Sequence, residues 1–276
     1  MTSTSLHPTP PSQTIATEEF RAVGLAIRNE AIFFVAALLL FVVLIIASAV
    51  NFAHEHHSTS AHMGFTYGAS GAIPMFLVGL LIPFGIWRSE DPSRRAYFWS
   101  TPIARGPHTV MKLLSGWGWL MIATALYLLF IVAMAIVVPM ITGEPAWQAT
   151  TPGWEWVAAF SASTLGYLLT SIVVIGSDHP WRWIGGVLIS YGVLLAVLSS
   201  FGMGDIARAI NTITDGSYGL KAALFGSVTG VSDSVTASGS HRLVDTLDVS
   251  SWTIAMPLWI ICSAIAATIA SYRHHE

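Results

Sequence analysis

Charge is scarce in this chain. Only 10 % of its 276 residues are Asp, Glu, Lys or Arg, against roughly 25 % in a soluble domain. Hydrophobic residues make up 54 %, and mean hydropathy is +0.65. That balance excludes an ordinary soluble domain and implies an integral membrane protein. The net charge of −3 argues against nucleic acid as a partner. The single cysteine, Cys262, excludes an intrachain disulfide and leaves the redox compartment open. There is no phosphate-binding loop of the GxxxxGK(S/T) kind. No paired mid-span histidines suit a haem, and no Ser/His/Asp or HExxH arrangement occurs in the apolar stretches. None of those stretches has an ionisable residue at its centre, where proton- or ion-coupled transporters place one. The chain is therefore expected to be a passive conduit or anchor driven by something else, not an enzyme, with no cofactor of its own.

What it has in quantity is long apolar runs. A helical span needs about 20 residues, and six runs qualify, at about 31–50, 71–87, 113–141, 157–176, 184–203 and 251–271. The predicted fold class is thus an all-α integral membrane protein with six transmembrane helices. Residues 1–16 are rich in Ser, Thr and Pro and read as a disordered tail. No signal peptide is expected, because Glu18, Glu19, Arg21, Arg28 and Glu30 precede the first apolar run. Residues 17–273 form one membrane domain and 274–276 a short tail. Over 17–29 the spacing predicts an amphipathic helix lying in the interface, with Thr17 as N-cap and Phe20, Val23, Gly24 and Ile27 on one face.

The connector at 88–112 between the second and third spans carries the most information. Five of the twelve Lys and Arg residues fall in it: Arg88, Arg94, Arg95, Arg105 and Lys112. Ser89 or Asp91 can cap a short helix, Pro92 suits its first turn, and Pro102 ends it. Between them, Arg94 and Arg95 are followed by Tyr97, Phe98 and Trp99, a mixture suited to a membrane surface or a protein groove. Any cytoplasmic loop needs positive charge for orientation alone, so a docking helix and a plain loop both remain open on composition. The proposed inner side holds Arg21, Arg28, those five, Arg182 and Arg273. The outer side holds only Arg208, Lys221 and Arg242, all in one long segment. The positive-inside rule then puts both termini in the cytoplasm.

Two outer stretches stand out. The loop 51–70 gathers His54, Glu55, His56, His57 and His62, which could bind Cu(II), Zn or Ni. Their spacing matches no specific site, so no metal site is assigned. The outer segment 204–250 shows Ile206, Ile210 and Ile213, then Leu220, Ala223 and Leu224, at helical spacing. Leu243 and Leu247 give another short amphipathic turn, and short helices dipping into the outer leaflet are expected here. In the fifth span, Gly185, Gly186 and Gly192 permit either close contact with another chain or ordinary helix packing.

This order of parts resembles the permease subunit of a type-2 ABC exporter. In that family an interfacial elbow helix precedes the first span, and a coupling helix between spans two and three docks on a separate ATPase. The family's Glu, Pro-x-x-Arg and Lys are matched by Glu90, Pro102-Ile103-Ala104-Arg105 and Lys112. Where the family often has Gly-Thr after the Glu, this chain has Asp91-Pro92-Ser93. The resemblance covers about 17–273 and implies a short re-entrant helical segment before the last span. It also implies that Arg94, Arg95, Tyr97, Phe98 and Trp99 sit in a cleft of the ATPase, with Arg105 and Lys112 anchoring the loop. ATP and Mg would be bound by that partner. A second permease chain, the same or different, would pack through spans one and five, and the location would be a cell (plasma or inner) membrane. The rival readings are a non-transporting anchor or assembly subunit and a metal-handling protein using the outer histidines. The cargo is not legible.

Overall fold

The structure, a computed structural model, describes residues 12–55, 69–88, 105–142, 153–177, 179–201, 203, 205–206, 216, 218–225, 227–235 and 241–273. In chain order its elements are α1 (Ser12–Ala26), α2 (Arg28–Glu55), a 3₁₀ turn (Ala69–Ala72), α3 (Ile73–Trp87) and α4 (Arg105–Thr142). There follow α5 (Gly153–Gly176), α6 (Pro180–Ser200), α7 (Leu220–Phe225), β1 (Ser227–Val235), β2 (His241–Asp248) and α8 (Val249–Arg273). Five helices, α2, α4, α5, α6 and α8, are long and apolar enough to cross a membrane. The sixth expected span, α3, has 15 residues.

Packing between apolar helices in lipid gains little from the hydrophobic effect, so backbones must approach closely. The α3–α5 contact, the most extensive between helices, does this with glycine. On α3 the buried positions Met75, Gly79, Ile82 and Ile86 recur at four, three and four. A Cβ at Gly79 would strike the Ser163 carbonyl oxygen, and one at Gly166 would lie 2.6 Å from that of Phe76. The two glycines thus let each helix seat against the other's backbone. Small polar residues add hydrogen bonds: Thr124 Oγ1 donates to Ser163 Oγ at 3.2 Å, and Tyr167 Oη donates to the Leu113 carbonyl at 2.8 Å. Bonds of this kind are worth about 0.6 kcal/mol each on average in a membrane protein. A second cluster, around Ala158, Ala159, Ala162, Ala223 and Trp252, joins α5, α7 and α8.

By contrast α2 and α6 leave most of their apolar surface exposed. Among the described residues, the most apolar stretch of neither helix buries a side chain. Both are rich in exposed apolar side chains, with Phe33 76 % and Ile189 68 % exposed.

Several boundaries differ from expectation. Helix α1 starts at Ser12, so 12–16 belong to a helix rather than to a tail, and Thr17 is inside it rather than at its cap. Helix α4 begins at Arg105, eight residues before the expected span, because Pro107 falls in its first turn, where a proline costs no hydrogen bond. The Pro180–Trp183 stretch, read as a loop, opens α6 with Pro180 as first residue. The expected helix at Leu220–Leu224 is present as α7, but Leu243 and Leu247 lie on β2. Strands β1 and β2 pair antiparallel from Ser227↔Asp248 to Val235↔His241, with an irregularity between Val228 and Gly230. The helical reading of that stretch is thus corrected. Of the outer isoleucines, Ile210 and Ile213 lie outside the described residues.

Candidate functional site around the connector

Five helix ends meet where the α3–α4 connector leaves and returns. Helix α3 ends at Trp87, with the Arg88 N–H donating to the Phe84 carbonyl at 3.1 Å. Seven residues into α4 stands Lys112, only 7 % exposed. Its Nζ lies 4.5 Å from the centroid of the Trp87 ring. A cation over an aromatic face is worth about 2 kcal/mol when water is excluded. The contact ties the two stems of the connector together. This contact is with Trp87 of the same chain, whereas the resemblance implies that Lys112 anchors the loop against lipid phosphates or the ATPase.

Helix α1 is fastened to the same place. Its apolar face is the one read from the sequence. Phe20 stacks on Trp119 of α4 at 4.8 Å, and Trp119 Nε1 donates to the Phe20 carbonyl at 2.9 Å. Val23 and Ile27 are buried, and a Cβ at Gly24 would lie 2.6 Å from Trp119 Cζ2. At the residue before Phe20, Glu19 Oε1 lies 3.0 Å from His108 Nδ1, a hydrogen bond that is an ion pair when His108 is protonated. The hydrogen bond from His108 holds the Glu19 carboxyl below its ordinary range, with the nearby charges of His108 and Lys112 adding to the effect against burial. The sign follows from linkage. A depressed carboxylate pKa stabilises the docked helix above the ordinary carboxylate range, and that contribution is lost as pH falls through the lowered value. The protection of the α1 amides, corrected for the intrinsic pH dependence of exchange, should therefore hold above the ordinary carboxylate range and fall as pH drops through the lowered Glu19 value. Glu19→Gln should flatten that acid limb; an unchanged limb would show that the pair does not hold α1.

Helix α6 touches this end through Trp181, which stacks on Phe84 at 4.2 Å. At the start of α2, the Glu30 side chain approaches Gly85 of α3, whose Cβ would lie 3.2 Å from the carboxyl carbon. The sequence pointed to neither contact: Phe84, Trp181 and Glu30 read simply as span and loop residues.

Of the predicted connector residues, Glu90, Arg94, Arg95, Tyr97, Phe98 and Trp99 lie outside the described residues. Arg105 is the first residue of α4. Gly185, Gly186 and Gly192 lie on α6, and a Cβ at any of them would meet nothing within 4 Å. His54 is in the last turn of α2, while His56, His57 and His62 lie outside the described residues. Among the described residues no group of three or more His, Cys, Asp or Glu could hold a metal.

No family model, no curated protein and no solved structure matches this chain.

Proposed function

We propose that the chain is the transmembrane subunit of an ATP-driven exporter of the type-2 ABC kind, moving its cargo when a separate ATPase drives it. The observation that carries the reading is the connector: a basic and aromatic stretch whose two stems are joined by Lys112 and Trp87. A push on such a loop passes directly into α3 and α4, and through the α3–α5 seam into the bundle. An anchor subunit with the same topology has no use for that linkage. Glu90, Pro102-x-x-Arg105 and Lys112 fill the family's positions, and Arg94, Arg95, Tyr97, Phe98 and Trp99 are the surface offered to the ATPase. That partner binds ATP with Mg.

Three further features support the reading. Helix α1, docked on α4 by Phe20 and Trp119, suits the role of an elbow helix. The 3₁₀ turn and α3 together offer at most about 30 Å at their standard rises, the thickness of a hydrocarbon core, and make the sixth span. The bare faces of α2 and α6, with open space at Gly185, Gly186 and Gly192, suit a second permease chain. The positive-inside rule favours cytoplasmic termini, and the resemblance implies a plasma or inner membrane.

The test is a pull-down in mild detergent with the native chain and with Arg94→Glu/Arg95→Glu. The native chain should recover a soluble ATPase, and the charge reversal should lose at least tenfold of it. Recovery of no ATPase, or of membrane subunits indifferent to the reversal, would leave the anchor reading in front.

A further inference from the structure

A cavity of about 790 Å³ lies between α2, α3 and α4. Its wall is almost wholly apolar, including Phe34, Leu38, Leu81 and Trp119. It is open on one side, where Leu81 and Leu126 are exposed. An apolar groove on a membrane helix bundle ordinarily needs nothing more than lipid tails to fill it. This one differs at one point. Glu30 is on its wall, and Glu30 Oε2 is closed off from water with no hydrogen-bond partner among the described residues. The other side chains with hydrogen-bonding groups are accounted for. Trp119 Nε1 donates to the Phe20 carbonyl, Tyr127 Oη donates to the Gly71 carbonyl at 2.8 Å, and Asn29 is exposed.

Glu30 is half-buried, and a carboxylate oxygen closed off from water without a donor is costly unless a cation answers it. Ligand pockets of roughly 300–1,000 Å³ are mostly apolar with a few placed polar groups that fix the ligand. Here, among the described residues, Glu30 is the one carboxylate on an otherwise largely apolar wall. We propose that this cavity is a binding site for a monovalent organic cation with a bulky apolar body, its charge held by Glu30 and its body lying among Phe34, Leu38, Leu81 and Trp119. A neutral lipid tail would leave Glu30 unanswered, and an anion would be repelled by it. The assignment rests on the cavity and stands apart from the exporter reading.

Two probes of the same shape and opposite charge test it: tetraphenylphosphonium and tetraphenylborate. Binding of each is measured to the full chain in nanodiscs of neutral lipid, with empty discs subtracted. The phosphonium should bind saturably, one per chain, and at least tenfold more tightly than the borate. Glu30→Gln should weaken the phosphonium at least tenfold without weakening the borate, and Glu30→Asp should recover most of the loss. Leu81→Trp, which fills the cavity from its open side, should abolish phosphonium binding with Glu30 intact. Equal binding of the two ions by the native chain overturns the proposal without recourse to any variant, as does the absence of saturable phosphonium binding. Phosphonium affinity unchanged in Glu30→Gln or in Leu81→Trp overturns it as well.

Discussion

Gly79→Val should leave the chain unable to fold into a monodisperse particle in detergent, whereas Gly186→Val should leave folding nearly untouched. The contrast rests on what surrounds the two positions. A side chain at Gly79 meets the backbone carbonyl of Ser163, which cannot turn aside as a flexible side chain can. Seating it forces α3 and α5 apart, and the Gly166–Phe76 approach and the Thr124–Ser163 bond lie along the same α5 seam. Overpacking typically costs about 1–3 kcal/mol, and a clash with the Ser163 and Tyr167 backbone belongs at the upper end. At Gly186 there is open space. Size-exclusion profiles and thermal unfolding of the purified variants decide the matter. If Gly79→Val eluted and melted like the native chain, the close α3–α5 seam would be wrong. On the two-chain reading, Gly186→Val should instead lower the fraction of dimer.

Cutting the contact between Lys112 and Trp87 should uncouple the stems of the connector. Lys112→Met keeps the length and apolar character of the stem but removes the charge, and Trp87→Leu removes the ring. A double-mutant cycle on thermal stability should give a coupling of about 1–2 kcal/mol, as expected for a cation over a desolvated ring. Additivity within about 0.5 kcal/mol would mean that the two side chains act independently. The functional consequence is sharper. In a complex with the ATPase, Lys112→Met should retain the partner, because Arg94 and Arg95 are intact, yet lose at least tenfold of any cargo-stimulated ATP hydrolysis. Loss of the partner itself would mean that Lys112 belongs to the docking surface rather than to the linkage behind it.

The apolar runs determined where helices form, because a backbone in hydrocarbon must satisfy its own hydrogen bonds. Five long helices follow from that alone. Spacing also determined the buried face of α1: Phe20, Val23, Gly24 and Ile27 share one side at a period of 3.6, whatever they dock on. Sequence could not decide between helix and strand at Leu243 and Leu247. A separation of four brings residues to one side in both periods, and the β-branched Val228, Thr229, Val231, Val235, Val244 and Thr246 favour the hairpin that forms. Nor could it tell the glycines apart. Gly79 and Gly166 are required by the distance between two backbones, while Gly185, Gly186 and Gly192 face open space, and only the packing of α3 against α5 makes that distinction. The same holds for charge. Lys112 and Glu30 both sit beside apolar runs in the sequence. The tertiary structure lays one over an indole and puts the other on the wall of an apolar cavity with Oε2 unpartnered among the described residues, because the contacts that matter come from helices distant along the chain.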